Sequence, residues 1–261
     1  MDFAVRYGPE ADQVADVFFP PDAGSPAPLV LVLHGGSWRV ENDRGYLEPE
    51  ARALAANGYV VANVEYRRVG AGGGWPTTFT DVALAVDSLP AFIAQRWQGR
   101  ADSSRVVLFG HSAGGQLALW AAVRDRLPEG APGRRPGPVP IAGVVAVAPV
   151  SALTQALSYG GGLAAVTGVL GGGPEDVPER YAAVDPLTLG PGGVPVVVIH
   201  GDRDTAVPPV MSRRYADATG AELVTVPGAG HFDITAPGGP AWTSIVDAVA
   251  RLAEERRVRL P

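Results

Sequence analysis

The residues able to do chemistry in this chain are a serine bracketed by glycines at Gly110-His111-Ser112-Ala113-Gly114, acids at Asp202 and Asp204, and a histidine at His231. A serine hydroxyl is a poor nucleophile at neutral pH. It needs a neutral imidazole to take its proton and an acid to orient that imidazole. The chain order Ser, Asp, His supplies all three and points to covalent acyl chemistry on Ser112. Gly-x-Ser-x-Gly alone carries little weight in a chain with 34 glycines. Its setting carries more: a β-branched run, Arg105 to Phe109, stops at the motif, and helical spacing begins at Ala113. A serine at such a strand-to-helix turn projects its hydroxyl above a sheet, and Gly110 and Gly114 give the passing backbone its clearance.

Those residues must be positioned by strands that end where they stand. Strands are expected at Val14 to Phe19, Leu29 to Leu33, Tyr59 to Val64, Arg105 to Phe109, Ile141 to Val147, Val194 to Ile199 and Glu222 to Val226. Several are apolar on both faces, as strands inside a parallel sheet should be, whereas the first alternates and suits an antiparallel edge. Helices are expected at Leu47 to Ala56, Thr80 to Arg96, Ala113 to Arg124, Pro209 to Thr219 and Ala241 to Glu255. Strand Val196 to Ile199 then runs into Asp202 and Asp204, and strand Glu222 to Val226 runs into His231. The alternation implies an α/β protein with a doubly wound, mostly parallel sheet and right-handed crossovers.

Two stretches break the alternation. Arg126 to Pro140 is rich in Pro, Gly and Arg and reads as a surface loop. Residues 151–193 lie between two core strands and are far longer than a crossover needs, with glycine runs at 160–162 and 171–173. Two readings stay open for this insertion: a small cap over the site, or a solvated loop with a short helix.

Composition prunes the alternatives. A chain of 261 residues fits one domain, 1–261. The net charge of −6 disfavours nucleic acid and anionic membrane partners, so the expected partner is a small-molecule acyl substrate. Cys is absent, the N-terminus lacks a basic segment followed by an apolar one, and no apolar run is expected to span a bilayer; cytoplasmic localisation is the expectation. All 21 basic residues are Arg, which removes Schiff-base chemistry, a Ser-Lys dyad and a Walker lysine. His34, His111, His200 and His231 show no i, i+4 pairing, so neither a metal nor a cofactor is expected. Oligomeric state, monomer or dimer, is silent in the sequence.

With these residues in place the chain resembles the α/β-hydrolase superfamily over roughly Val14 to Ala250. The resemblance implies a three-layer fold with a central sheet of about eight strands and helices on both faces. The run His200-Gly201-Asp202-Arg203-Asp204-Thr205-Ala206-Val207-Pro208 is similar to a pattern of esterases and peptidases with this fold. There the acid aligns with Asp204, leaving Asp202 as a turn residue that bonds its own loop. Asp233 is read as a pocket or turn residue. His34-Gly35-Gly36-Ser37-Trp38 resembles the oxyanion motif of lipases and esterases, with Ser37 in place of the third glycine. The backbone amides of Gly36, Ser37 and Ala113 are accordingly the expected oxyanion hole, and Trp38 is a candidate for the acyl or leaving-group pocket. Tyr66 and Trp75 are more simply core or rim residues. His111 is expected to pack beneath the nucleophile turn, His200 to bond backbone, and His34 to brace the oxyanion loop.

His-Gly-Gly-x-Trp together with Gly-His-Ser-Ala-Gly-Gly and His231-Phe232-Asp233 is similar to the kynurenine formamidase and small carboxylesterase branch. The resemblance implies a serine hydrolase acting on a small carboxylic ester or an aryl formamide, with Ser112, His231 and Asp204 as the triad. Two further readings remain: an acyltransferase using the same acyl-enzyme, and a non-catalytic binding protein on the same fold.

Overall fold

Strands that are apolar on both faces need cover on both sides, and the chain provides it. A computed structural model describes residues 1–21 and 26–255. Eight strands form one sheet in the order β1-β2-β4-β3-β5-β6-β7-β8. They are β1 (Phe3–Arg6), β2 (Val14–Phe18), β3 (Ala27–Leu33), β4 (Val60–Val64), β5 (Ala101–His111), β6 (Gly143–Val147), β7 (Val196–Gly201) and β8 (Glu222–Val226). From β4 to β8 every neighbouring pair is parallel, while β2 runs antiparallel to both β1 and β4.

Successive residues of each strand feed opposite layers. Leu29, Leu31, Leu33, Val106 and Leu108 pack on one side with α2 (Thr77–Arg96), α3 (Ala113–Ala121) and α8 (Val210–Thr219). Val30, Val32, Val107, Phe109, Val145 and Val147 pack on the other with α1 (Glu48–Ala56) and α9 (Trp242–Glu255). The chain is thus a three-layer α/β protein, as expected.

The departures have local causes. Strand β2 is not the edge: the short β1 lies outside it, with Phe3 opposite Val17, and Asp16 is buried rather than facing water because Arg44 Nε meets its carboxylate at 2.7 Å. Helix α3 ends at Ala121 and passes into a 3-10 turn over Arg124–Arg126. Helix α2 begins three residues earlier than expected and is, by length and composition, apolar enough to cross a membrane, correcting the expectation that no segment is. That apolarity lies against the sheet: Phe79, Val82, Val86, Leu89 and Ile93 form one buried stripe at helical spacing.

Residues 151–193 fold into α4 (Leu153–Ala156), α5 (Gly162–Leu170), α6 (Pro178–Val184) and α7 (Pro186–Leu189). Val166, Val169, Leu170, Tyr181 and Val184 of this insertion are buried in the α2–α3 layer.

Candidate active site

Strand β5 delivers Ser112 to a turn whose backbone few residues tolerate. Ser112 has φ 55° and ψ −118° and sits immediately before α3, a conformation that costs on the order of 1–3 kcal/mol and is held only by its surroundings. A side chain on Gly110 would strike the backbone of Gly114, and one on Gly114 would strike the carbonyls of Leu33 and His34. Both glycines are therefore required by close approach.

The three expected residues meet. Ser112 Oγ lies 2.9 Å from His231 Nε2, and His231 Nδ1 donates to Asp204 Oδ2 at 2.6 Å. A ring that donates from Nδ1 to a carboxylate presents Nε2 as an acceptor, so the Ser112 hydroxyl donates to it. Asp204 is enclosed: Oδ1 accepts from the amides of Ala206 (2.9 Å) and Val207 (2.8 Å). Burial pushes its carboxyl pKa up, but hydrogen bonds from His200 and His231 outweigh burial and hold it well below the usual carboxylate range. It is an anion wherever the protein is folded near neutral pH.

His200 does more than bond backbone, which corrects the expectation. Its Nε2 faces both the Val207 carbonyl (2.9 Å) and Asp204 Oδ2 (3.1 Å), and its Nδ1 faces Ser212 Oγ at 2.6 Å. Asp202 is also corrected: Oδ1 accepts from Gly228 N at 2.7 Å, so it ties the acid loop to the loop bearing the histidine instead of bonding its own. Asp233 accepts from Gly230 N at 2.8 Å, the turn role expected of it.

The glycine turn after β3 lies against the serine. A Cβ on Gly35 would come within 3.0 Å of His111 O and 3.2 Å of Ser112 Cβ. Gly36, Ser37 and Trp38 have φ of 100°, 55° and 57°. Among the described residues, the amides of Gly36, Ser37 and Ala113 have no hydrogen-bond acceptor; that of Ala113 opens α3, where no intrahelical partner exists. His34 braces this turn. Its Nδ1 faces Gly35 O at 2.8 Å, its Nε2 faces the buried Glu65 carboxylate at 3.0 Å, and its ring stacks on Tyr66 at 4.3 Å. Burial raises the pKa of Glu65, yet hydrogen bonding and charge from His34, with the Arg44 amide and Arg68, leave it lowered.

A cavity of about 480 Å³ opens over Ser112. Gly36, Ser37, Ala113 and His231 line its floor, and Ala156, Tyr159 and Val166 of the 151–193 insertion line one side. Trp38 contributes a wall but is only 1% exposed, its indole donating to Gln116 Oε1 at 3.2 Å. Sequence reasoning assigned no role to Tyr46, Gln116 or Phe232. Tyr46 and Phe232 line the cavity, and Gln116 fixes Trp38 while donating to the Val184 carbonyl at 2.9 Å. Tyr46 and Gln116 belong to no motif, and Phe232 was legible only as the middle of His231-Phe232-Asp233.

His111 is buried beneath the turn. Burial first, then the neighbouring His231, pushes its pKa down from 6.5 to about 3. The unfolded chain therefore binds a proton here that the folded chain refuses. The associated stability is complete above 6.5 and is lost as pH falls toward 3, the loss reaching about 2 kcal/mol by pH 5. The lowered carboxyl of Asp204 acts in the same sense, its stability also falling as pH drops. Melting temperature is expected to fall between pH 7 and pH 4. A His111→Gln variant should show a shallower fall; an identical slope would contradict this account.

Residues 15–218 match the BD-FAE family profile. Esterase LipQ of Mycobacterium tuberculosis is 26% identical over 245 residues, covering 89% of this chain and 57% of its own. Esterase LipC of the same organism is 29% identical over 249 residues, covering 88% and 59%. The chain thus spans less than two thirds of the length of either esterase. Among solved structures, a truncated carbohydrate esterase from gut microbiota superposes with TM-score 0.80 at 19% identity, covering 97% of this chain and 96% of its own. Esterase B from Lactobacillus Rhamnosis (HN001) superposes with TM-score 0.77 at 22% identity, covering 97% and 85%. At those identities the structural likeness speaks for the fold alone. The family match covers more than three quarters of the sequence, and the chain belongs to the BD-FAE family of esterase-like α/β-hydrolases.

Proposed function

We propose that this protein is a serine hydrolase that cleaves small carboxylic esters, with aryl formamides as the alternative substrate class. The observation that carries this reading is the unbroken relay from Ser112 Oγ through His231 to Asp204, at 2.9 and 2.6 Å, on the floor of a cavity. Ser112 Oγ attacks the substrate carbonyl as its proton passes to His231 Nε2. The oxygen that gains negative charge is met by the amides of Gly36, Ser37 and Ala113. As the intermediate collapses, His231 gives the proton to the departing alcohol or amine, leaving an acyl group on Ser112. Water, deprotonated by the same imidazole, then releases the acid. Asp204 stays ionised throughout and stabilises the imidazolium that forms at each step.

The insertion at 151–193 serves as the cap of this site. Its contribution to the cavity, from Ala156, Tyr159, Ala165 and Val166, carries no charged group, which suits an uncharged acyl or leaving group. An acceptor other than water would turn the same acyl-enzyme into an acyltransferase.

The test is a parallel comparison of kcat/KM for acetyl, butyryl and octanoyl p-nitrophenyl esters, an alkyl ester and N-formylkynurenine, with products identified with and without an added alcohol. Turnover of the short esters supports the reading. Preference for the formamide moves the assignment to the second class, a dominant transfer product overturns hydrolysis, and silence toward every acyl substrate sinks the proposal.

A further inference from the structure

Tyr46 stands in the 3-10 turn Arg44–Leu47, between the glycine turn after β3 and α1, and belongs to no motif. Among the described residues its hydroxyl has a single hydrogen-bond partner, His111 Nδ1 at 3.1 Å. The opposite edge of the same imidazole faces the backbone carbonyl of His231, 2.9 Å from His111 Nε2. A carbonyl only accepts, so Nε2 carries the proton. In a neutral ring Nδ1 is then the acceptor, and the Tyr46 hydroxyl donates to it.

The protonation states fit this direction of bonding. Burial, with His231 nearby, keeps His111 neutral down to about pH 3. Burial, and then the Glu50 carboxylate, pushes the Tyr46 hydroxyl up to about 12, so it remains a donor. One imidazole thereby joins three loops: the segment after the glycine turn through Tyr46, the nucleophile turn to which His111 itself belongs, and the loop of His231. The glycine turn also rests on this residue, since a Cβ on Gly35 would lie 3.0 Å from His111 O and 3.4 Å from His111 Nδ1.

We propose that Tyr46 is a positioning residue: it fixes His111 as the Nε2–H tautomer, and His111 then holds the backbone of His231 so that its ring meets Ser112. The proposal rests on the reading of Ser112 and His231 as nucleophile and base. Without the Tyr46 hydroxyl the His231 carbonyl is left as the one partner favouring the Nε2–H form among the described residues, and the Nδ1–H form becomes accessible. A ring protonated at Nδ1 gives up its bond to the His231 carbonyl, and the base loses one of its anchors. A misplaced base slows the chemical step without weakening substrate binding.

The experiment uses the full chain labelled with ¹⁵N-histidine, as wild type and as Tyr46→Phe, read by long-range ¹H–¹⁵N correlation and by steady-state kinetics on p-nitrophenyl acetate. Expected are a single Nε2–H form of His111 in the wild type and a mixture of tautomers in the variant. The variant should also show kcat about five- to tenfold lower, the rate equivalent of one net hydrogen bond, with KM changed less than twofold. In a His111→Gln background the Tyr46→Phe change should add nothing further. An unshifted tautomer overturns the proposal, as does an unchanged kcat. A raised KM with kcat retained overturns it too, because that is the mark of direct substrate contact. Should His111→Gln fail to fold, the tautomer and kcat readouts of Tyr46→Phe decide alone. Should the wild type turn over no ester or formamide, the hydrolase reading falls, and the tautomer spectrum still decides whether Tyr46 sets the state of His111.

Discussion

Ser112→Ala is expected to lower kcat for short-chain p-nitrophenyl esters by roughly five to six orders of magnitude, the loss seen when a nucleophile that acts as a unit with its base is removed. The reasoning is chemical: among the described residues no other hydroxyl faces His231 Nε2, and the covalent step cannot proceed without one. The fold should survive. Among the described residues Ser112 Oγ makes its one side-chain hydrogen bond to His231, and the neighbouring backbone is fixed by Ser112 N donating to Val147 O at 2.9 Å and by Val150 N donating to Ser112 O at 3.2 Å. Alanine can take the same strained backbone under those restraints, so melting temperature should change by a few degrees at most. A fluorophosphonate probe should label the wild type and leave the variant unlabelled. Activity above about one per cent of wild type, or labelling retained, would remove Ser112 from the role of nucleophile.

Why Ser112, Asp204 and His231 were readable while Tyr46 was not follows from how each is placed. A nucleophile, an acid and a base of this kind are expected at the carboxyl ends of strands, and the apolar runs Val106 to Phe109 of β5 and Val196 to Ile199 of β7, with the β-branched Val224-Thr225-Val226 of β8, mark those ends in the sequence. Neither motif spacing nor periodicity encodes Tyr46, because its hydroxyl reaches His111 only through the packing of a 3-10 turn against β5, 65 residues away. The same holds for His200, whose bond to Asp204 depends on the curl of the loop after β7 and on Ser212 of α8.

Elements went astray where side chains blur the pattern. The four residues of β1 are too few to establish alternation. The start of β5 contains Asp102-Ser103-Ser104, which reads as a loop although Ala101 and Asp102 pair with Ala27 and Pro28 before the register shifts. The cavity wall was also illegible. It is assembled from Ala156, Val166, Val207 and Met211, residues indistinguishable in sequence from ordinary core.

Asp204→Asn should lower kcat about ten-thousandfold, and Asp202→Asn should lower it no more than a few-fold. The difference lies in what faces each carboxylate. In Asp204→Asn the amide oxygen can keep the bonds from the Ala206 and Val207 amides, but its NH₂ group then meets His231 Nδ1–H and His200 Nε2–H, donor against donor. Turning the amide over merely moves the conflict to the backbone donors. The imidazole of His231 resolves it by moving its proton to Nε2, and in that tautomer it cannot accept the proton of Ser112. Losing a negative charge also removes the partner that stabilises the imidazolium in each transition state. Asp202 has no such position, since its carboxylate is 2.7 Å from the Gly228 amide and an asparagine oxygen accepts that bond equally well. Steady-state rates for the two variants, measured alongside thermal unfolding to separate lost chemistry from lost fold, decide between the acids. Equal losses in two folded variants would overturn the assignment of Asp204, and a larger loss at Asp202 would transfer the orienting role to it.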